Sequence, residues 1–183
     1  MRWFWRLRRY ALASVLRCSH LNRALCALGE NDMDVIIKEV SSEDWEQVVH
    51  IGVQTNEANV IPMLSLEGRE AMRSARTGDI RKVLANPRCK VLKAVVNSQI
   101  VGYIACGGGF YIAQLYVLPE FQGRGIGSKL ISEVKAASEA SSLQLKASLN
   151  AVGFYRKQGF EQTAEEQSIN SITFVPMELS IGT

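Results

Sequence analysis

Residues 115–130 read LYVLPEFQGRGIGSKL, a stretch that predicts a strand, a glycine loop and the start of a helix. The loop has glycine at every second position, Gly123, Gly125 and Gly127, which leaves the backbone N–H groups unshielded where the helix begins. Because a helix N-terminus carries partial positive charge, such amides attract an anion. The stretch therefore predicts a phosphate-binding loop formed mainly by backbone groups, with Arg124 adding a contact.

Two other phosphate-binding patterns do not fit this stretch. A Walker loop ends in Gly-Lys-Ser/Thr, whereas this chain has the order Gly127-Ser128-Lys129. A dinucleotide fingerprint needs a third glycine where Ser128 stands, and an acidic residue at the end of the next strand, which here ends at Ser148. The remaining alternative is a glycine turn without a ligand, and the conformational entropy lost by three glycines argues against it.

The chain before the loop predicts both strands and helices. Strands are expected at 35–40, 90–96, 100–106 and 110–117, and helices at 44–54, 67–75 and 79–85. The first strand is rich in β-branched residues and leads into a capping sequence at 41–44. Two β-rich runs around Asn97 have so short a polar spacer that they predict a hairpin. Gly78 is expected to separate the second and third helices.

The chain after the loop predicts a helix at 127–140, a strand at 143–148, a short helix at 151–158 and terminal strands near 160–163 and 171–179. A strand meander is thus followed by helices that alternate with strands. This order indicates an α+β or mixed α/β fold rather than a repeated βαβ array.

Two motifs in this order resemble the GCN5-related N-acetyltransferase (GNAT) family. Its acetyl-CoA motif, a strand followed by Gln/Arg-x-x-Gly-x-Gly/Ala and a helix, is matched by Val117 to Gly127. A second signature, an alanine followed by an aromatic-Tyr pair and Gly-Phe, is matched by Ala151 to Phe160. The resemblance covers residues 33–181 in element order and is strongest over 112–160. It implies a mostly antiparallel central sheet of about six or seven strands flanked by helices.

The resemblance also implies the cofactor contacts. Backbone groups of Leu115 and Val117 would face the pantetheine and the acetyl carbonyl. The pyrophosphate would be held by the loop, namely Gln122, Gly123, Arg124, Gly125, Ile126, Gly127 and Ser128. Many members have an asparagine where this chain has Ser148, and Asn150 lies two residues later, so either residue could contact the cofactor.

The chemistry implied is direct transfer of the acetyl group from acetyl-CoA to a primary amine of a small molecule, peptide or protein. Tyr155 would protonate the departing thiolate as a general acid. Glu57, Tyr111 and Gln114, the last through a water, are the candidates for removing the proton of the amine. The activated thioester needs neither a metal nor a covalent enzyme intermediate. The alternative is a noncatalytic acyl-CoA-binding regulatory module.

Composition excludes several other classes of function. The chain has 183 residues, 47% of them hydrophobic, which suffices for one core. Beyond residue 32 basic and acidic side chains are nearly balanced, so nucleic-acid binding is not expected. The four cysteines form no C-x-x-C pair, which argues against a zinc site or a disulfide scaffold and favours a reduced, cytoplasmic protein. Family analogy also suggests a homodimer.

Residues 1–32 form a segment of different character and are separated from the predicted domain at 33–183. At helical spacing, apolar side chains such as Trp3 and Leu7 lie on one side and arginines such as Arg2 and Arg6 on the other. Such a helix could contact an anionic membrane surface or act as a transit peptide. Two other interpretations stay open: a disordered extension, or a functional start at Met33.

Overall fold

Eight strands and four α-helices make up residues 34–169 and 172–182, the part of the chain that this computed structural model describes. The strands are β1 (Ile36–Glu39), β2 (Cys89–Val96), β3 (Gln99–Gly107), β4 (Tyr111–Val117), β5 (Ser142–Ser148), β6 (Glu161–Gln162), β7 (Gln167–Ile169) and β8 (Ile172–Ser180). The helices are α1 (Trp45–Asn59), α2 (Leu66–Ala85), α3 (Ile126–Ala137) and α4 (Val152–Lys157).

All strands belong to one sheet with the order β1-β2-β3-β4-β5-β8-β6, and β7 pairs with β8. Every pairing is antiparallel except that between β4 and β5. This is the mixed α/β fold with a mostly antiparallel sheet that the sequence predicts. Two very short strands, β6 and β7, bring the number to eight, and β7 was not expected from the sequence.

The predicted hairpin around Asn97 is confirmed. Strands β2 and β3 pair through a two-residue turn at Asn97 and Ser98, with φ angles of 47° and 66°. Left-handed backbone at both positions matches the natural twist of a hairpin, and asparagine tolerates it better than most residues. Residues 100–106 of β3 are all buried, as expected for the central strand of a sheet covered on both faces.

A β-bulge lies in the middle of β4. Ala105 on β3 is opposite Gln114 while Cys106 is opposite Ile112, so Ala113 is the extra residue. The parallel pairing of β4 with β5 is confined to Tyr111 and Ile112, the residues just before the bulge. Beyond the bulge, β4 stays paired with β3 and β5 with β8, and the two central strands part.

Helices cover the two faces of the sheet. Tyr103 and Ala105 of β3 share a core cluster with Val48 and Ile51 of α1 and Ile80 of α2. Because side chains alternate along a strand, the intervening residues of β3 face the opposite side, where α3 packs against β2, β3 and β4. The buried stripe of α3 consists of Ile126, Leu130, Ile131 and Val134.

The prediction that Gly78 separates two helices is wrong, because α2 runs without interruption through it. A glycine inside a helix costs about 1 kcal/mol relative to alanine, too little to break a helix that is held elsewhere. Ile80 and Leu84, two and six residues later, are buried in the core cluster with α1. Tertiary packing of these two side chains therefore outweighs the local preference.

Helix α1 extends to Asn59, five residues beyond the predicted end, and α3 ends at Ala137, three residues before it. The basic helix predicted for residues 1–32 lies outside the described residues and stays a prediction. None of the helices in the described part of the chain is both long enough and apolar enough to cross a membrane.

The start of α1 is tied to the sheet by an ion pair between Asp44 and Lys93 of β2. Both side chains are mostly buried, 14% and 15% exposed. The same carboxylate oxygen accepts hydrogen bonds from the backbone N–H and the hydroxyl of Ser41, at 2.7 and 2.8 Å. Burial opposes ionisation of Asp44, but the bonds from Lys93 and Ser41 outweigh it and lower the pKa of the carboxyl.

Replacing Asp44 with asparagine should lower the free energy of unfolding by about 2 kcal/mol at neutral pH, because Lys93 loses its charged partner. A lowered pKa means that this stabilisation exists above the ordinary value of 3.8 and is lost as the pH falls below it. Urea denaturation of both proteins between pH 3 and 7 measures the difference. The control is Asp79→Asn, which breaks an exposed pair with Lys82 and should change stability by less than about 0.5 kcal/mol. If D44N lowers the free energy of unfolding by the same amount at every pH, the electrostatic explanation is wrong.

Candidate functional site

A cavity of about 470 Å³ opens where β4 and β5 part. Its walls come from the end of α1, the last residues of β4, the glycine loop with the start of α3, and the chain from Ser148 to Gln158. The volume is in the range of cavities that hold small-molecule ligands. The divergence of two strands thus creates the site, and three helix ends surround it.

The edge of β4 that faces this cavity has no partner strand beyond Ile112. The N–H of Leu118 donates to the carbonyl of Val101 on β3, at 2.9 Å. Because backbone groups alternate between the two edges of a strand, the N–H and C=O of Val117 and Leu115 point away from β3 and into the cavity. The carbonyl of Val117 accepts a hydrogen bond from the side-chain amide of Gln122, at 2.8 Å.

The glycine loop presents the N-terminus of α3 to the same cavity. Gly123 and Gly125 have φ angles of 74° and 77°, a conformation that side chains other than hydrogen disfavour. The first helical hydrogen bond joins the N–H of Lys129 to the carbonyl of Gly125, at 3.0 Å. The amides of the three residues before Lys129 therefore have no partner within the helix, and Gly125 has no side chain to cap them. This end of the cavity can hold an anion.

Gly127 is a glycine for a different reason. A Cβ atom at this position would lie 3.0 Å from the ring of Phe154, which packs directly on the helix. Phe154 belongs to α4 and lines the cavity. The third glycine of the loop therefore allows α3 and α4 to approach closely, whereas the first two set the path of the backbone.

Tyr155 lies on the cavity wall and is otherwise buried, with 8% of its surface exposed. Its ring packs edge-on against those of Phe154 and Phe160, with centroids 5.1 and 5.5 Å away. No described residue forms a hydrogen bond with its hydroxyl, which leaves that group to the cavity. Burial, and to a smaller degree the nearby Tyr116, raise the pKa of Tyr155 far above its ordinary value. The phenol is therefore protonated at every physiological pH.

Most of the predicted site residues meet at this cavity. Those that line it are Leu115, Val117, Gln122, Gly123, Gly125, Ile126, Gly127, Ser128, Ser148, Asn150 and Tyr155. Arg124 does not line it; its guanidinium stacks over the ring of Phe121, 5.5 Å from the centroid.

The three candidates for the general base do not line the cavity. Glu57 is on the exposed side of α1 and is paired with Arg73 of α2, both nitrogen–oxygen distances being 3.3 Å. The side-chain oxygen of Gln114 accepts a hydrogen bond from the hydroxyl of Tyr103, at 3.0 Å. Tyr111 is half-buried at the start of β4, where burial raises its pKa. The structure therefore does not place any of the three beside Tyr155.

Thr55 and Asn59 of α1 line the cavity and were not singled out from the sequence. The side-chain amide of Asn150 donates to the carbonyl of Asn59, at 2.9 Å, which joins the end of α1 to the segment before α4. A signal for these residues exists: both fall on the apolar stripe of an amphipathic helix that contains Val48 and Ile51. Polar residues at such positions are candidates for a site.

The cavity wall is neutral to basic. Lys157 lies on it, and none of the described residues that line it is acidic. Within residues 34–169 and 172–182 no three His, Cys, Asp or Glu side chains are close enough together to bind a metal ion. An anionic ligand is therefore favoured at the end of the cavity formed by α3.

Comparison with known proteins identifies relatives with this fold. A family model described as an acetyltransferase (GNAT) domain matches residues 60–181. An uncharacterized N-acetyltransferase of Archaeoglobus fulgidus is 26% identical over 53% of this chain and 69% of its own length. The uncharacterized N-acetyltransferase YafP of Escherichia coli is 36% identical over 45% of this chain, which spans only 52% of that protein.

Solved structures show the same architecture. A GCN5-related N-acetyltransferase from Rhodopseudomonas palustris superposes with a TM-score of 0.69 at 24% identity, over 81% of this chain and 97% of its own. The PaiA N-acetyltransferase from Thermoplasma acidophilum was solved in complex with coenzyme A. It superposes with a TM-score of 0.64 at 23% identity, over 81% of this chain and 99% of its own. At this level of identity the likeness establishes a shared fold.

Replacing Gly125 with alanine should lower the free energy of unfolding by about 1–2 kcal/mol, because its φ of 77° is unfavourable for a residue with a Cβ atom. The matched control is Gly153→Ala, at an exposed position of α4 where an added Cβ atom meets nothing within 4 Å. There, alanine should leave stability unchanged or raise it by up to about 1 kcal/mol. Urea denaturation of the two variants measures both values. If both variants lower the free energy of unfolding equally, the left-handed backbone at Gly125 is not the cause of the loss of stability.

Proposed function

The chain belongs to the GNAT family of acetyltransferases, and from this membership we propose that it transfers the acetyl group of acetyl-CoA to a primary amine by direct attack. The observation that carries the proposal is the convergence of three features on one cavity. These are the unpaired edge of β4, the uncapped start of α3 and the buried hydroxyl of Tyr155.

The residues at the cavity fit coenzyme A. A pantetheine arm carries amide groups, which can hydrogen-bond to the N–H and C=O of Leu115 and to the N–H of Val117 as an added strand would. The diphosphate suits the amides that begin α3, because several charge-assisted bonds converge there in the positive field of the helix. The absence of a carboxylate from the described lining residues favours the same assignment.

The chain's own residues supply positioning and a proton. When bound, acetyl-CoA supplies an activated thioester. The amine nitrogen forms a bond with the acetyl carbon, the carbon–sulfur bond breaks, and the sulfur takes up a proton from the Tyr155 hydroxyl. The nitrogen loses one proton to solvent, from which Tyr155 is reprotonated. The products are an N-acetyl amide and free CoA, and orientation of the reactants provides much of the rate.

The environment of Tyr155 suits the role of proton donor. Because burial raises its pKa, the phenol keeps its proton across the whole pH range in which an amine acceptor is titrated. The basic side of the pH–rate profile should therefore not report Tyr155. Edge-on packing against Phe154 and Phe160 holds the ring, so the hydroxyl stays at a fixed place on the wall.

The test of the proposed function has two arms. Calorimetry with free CoA measures binding, and an acetyl-CoA-dependent thiol-release screen over small amines, peptide N-termini and lysine-containing proteins measures transfer. We expect binding with at least one acylated amine confirmed by mass spectrometry. A folded protein that gives no heat with millimolar CoA would overturn the assignment of the cavity. Binding of CoA without thiol release in the presence of any amine would instead indicate a noncatalytic acyl-CoA-binding regulatory module.

Replacing Tyr155 with phenylalanine should lower kcat by about 100-fold while the dissociation constant of CoA stays within about twofold, because only the proton donor is removed. Steady-state kinetics and calorimetry measure the two quantities. The control, Tyr103→Phe, removes a buried phenol outside the cavity and should lower stability without changing kcat more than about twofold. An unchanged kcat in Y155F would mean that another group protonates the sulfur.

A further inference from the structure

Thr55 is a buried polar residue in the cavity, and its hydroxyl is poorly satisfied. The residue is 5% exposed and lines the wall beside Val117. Its hydrogen bond, to the carbonyl of Val117, is long at 3.4 Å, whereas hydroxyl bonds usually measure about 2.7–2.8 Å. The same carbonyl already accepts the amide of Gln122 at 2.8 Å. No described residue donates a hydrogen bond to the Thr55 oxygen, so the acceptor side of this buried hydroxyl is left for a ligand in the cavity.

The orientation of this bond decides which kind of partner fits. The hydroxyl has a single proton, which is directed at the carbonyl of Val117, so the cavity is offered the lone pairs of the Thr55 oxygen. A ligand complementary to lone pairs must donate a hydrogen. Within the proposed function the pantetheine amides bond to the backbone of β4, and the thioester group itself has no hydrogen to donate. A primary amine has N–H groups, so it is the reactant that fits.

The position of Thr55 agrees with this choice. Thr55 is on α1 and lines the same cavity as Ile126 at the start of α3, and its hydroxyl contacts Val117 on the edge of β4 that faces the cavity. The described lining residues include no carboxylate that could accept an amine proton at this wall. The oxygen of Thr55 is therefore an uncharged acceptor beside Val117, one of the residues proposed to hold the pantetheine arm.

We propose that the Thr55 hydroxyl is a positioning residue for the acceptor: it accepts a hydrogen bond from one N–H of the primary amine and turns the nitrogen lone pair toward the acetyl carbon. The inference rests on the proposed function and adds the residue that recognises the acceptor. The same bond favours nitrogen nucleophiles that keep an N–H during attack.

Thr55→Val tests the proposal, since valine has a similar shape and lacks the hydroxyl. With an amine that the wild-type protein acetylates, T55V should lower kcat/KM for the amine about three- to tenfold, as expected for one hydrogen bond. The dissociation constant of CoA should stay within twofold. A binding measurement independent of turnover, titration of the amine into protein saturated with free CoA, should show the same loss of affinity.

Thr55→Ser is the matched control, because it keeps the hydroxyl, and it should retain kcat/KM within about twofold. Thr55→Ala serves in place of T55V if valine prevents folding, as judged by thermal denaturation. The proposal is overturned if the hydroxyl-free variants keep the wild-type kcat/KM, or if T55S lowers kcat/KM as much as T55V does. It is also overturned if T55V weakens CoA binding as much as it lowers kcat/KM. Wild-type protein that binds CoA but acetylates no amine would overturn the proposed function and this inference together.

Discussion

The parting of β4 and β5 is the constraint on which the site depends. Two adjacent central strands that pair over only two residues leave backbone N–H and C=O groups unpaired in the interior, a costly arrangement unless a ligand or side chains satisfy them. The extra residue at Ala113 produces the divergence, because a bulge bends its strand and changes its twist. On its outer side each strand stays paired, β4 with β3 and β5 with β8, and these pairings hold the gap open.

Two side-chain hydrogen bonds and one packing contact complete the wall of that gap. The side chain of Gln122 reaches back to the carbonyl of Val117, so the glycine loop and the strand that leads into it are fastened together. The amide of Asn150 fastens the end of α1 to the segment before α4 in a similar way. Close packing of Phe154 on Gly127 sets the distance between α3 and α4. These short links determine where the polar groups of the cavity lie relative to one another.

The cavity separates two kinds of chemistry along its length. Uncapped amides and a helix dipole at α3 favour negative charge, with Lys157 on the same wall. Other groups on the wall are neutral: the Thr55 hydroxyl, the carbonyl of Val117 and the phenol of Tyr155, whose proton is retained because the ring is buried. A ligand with an anionic end and an uncharged reactive end matches this arrangement. The neutral groups also suit a reaction that proceeds by proton transfer.

The sequence by itself determined the elements whose signals are local. The glycine loop with its following helix, the hairpin at Asn97 and the mixed fold class could be predicted, because backbone conformation and side-chain period are encoded in neighbouring residues. Other residues of the cavity wall, such as Leu115, Val117 and Tyr155, were implied by the family resemblance. Tertiary structure decided the rest. The continuity of α2 through Gly78 depends on the burial of Ile80 and Leu84 against α1. Thr55 lines the cavity and Glu57 does not, because one face of α1 meets the gap between β4 and β5. Gln114 of β4 does not line the cavity either, and its side chain bonds the hydroxyl of Tyr103 instead. The gap itself arises from a bulge without a local signal. Contacts between residues far apart in the chain set these positions. The stripe of α1 could mark Thr55 as a candidate, but no pattern of neighbouring residues could place it at the cavity.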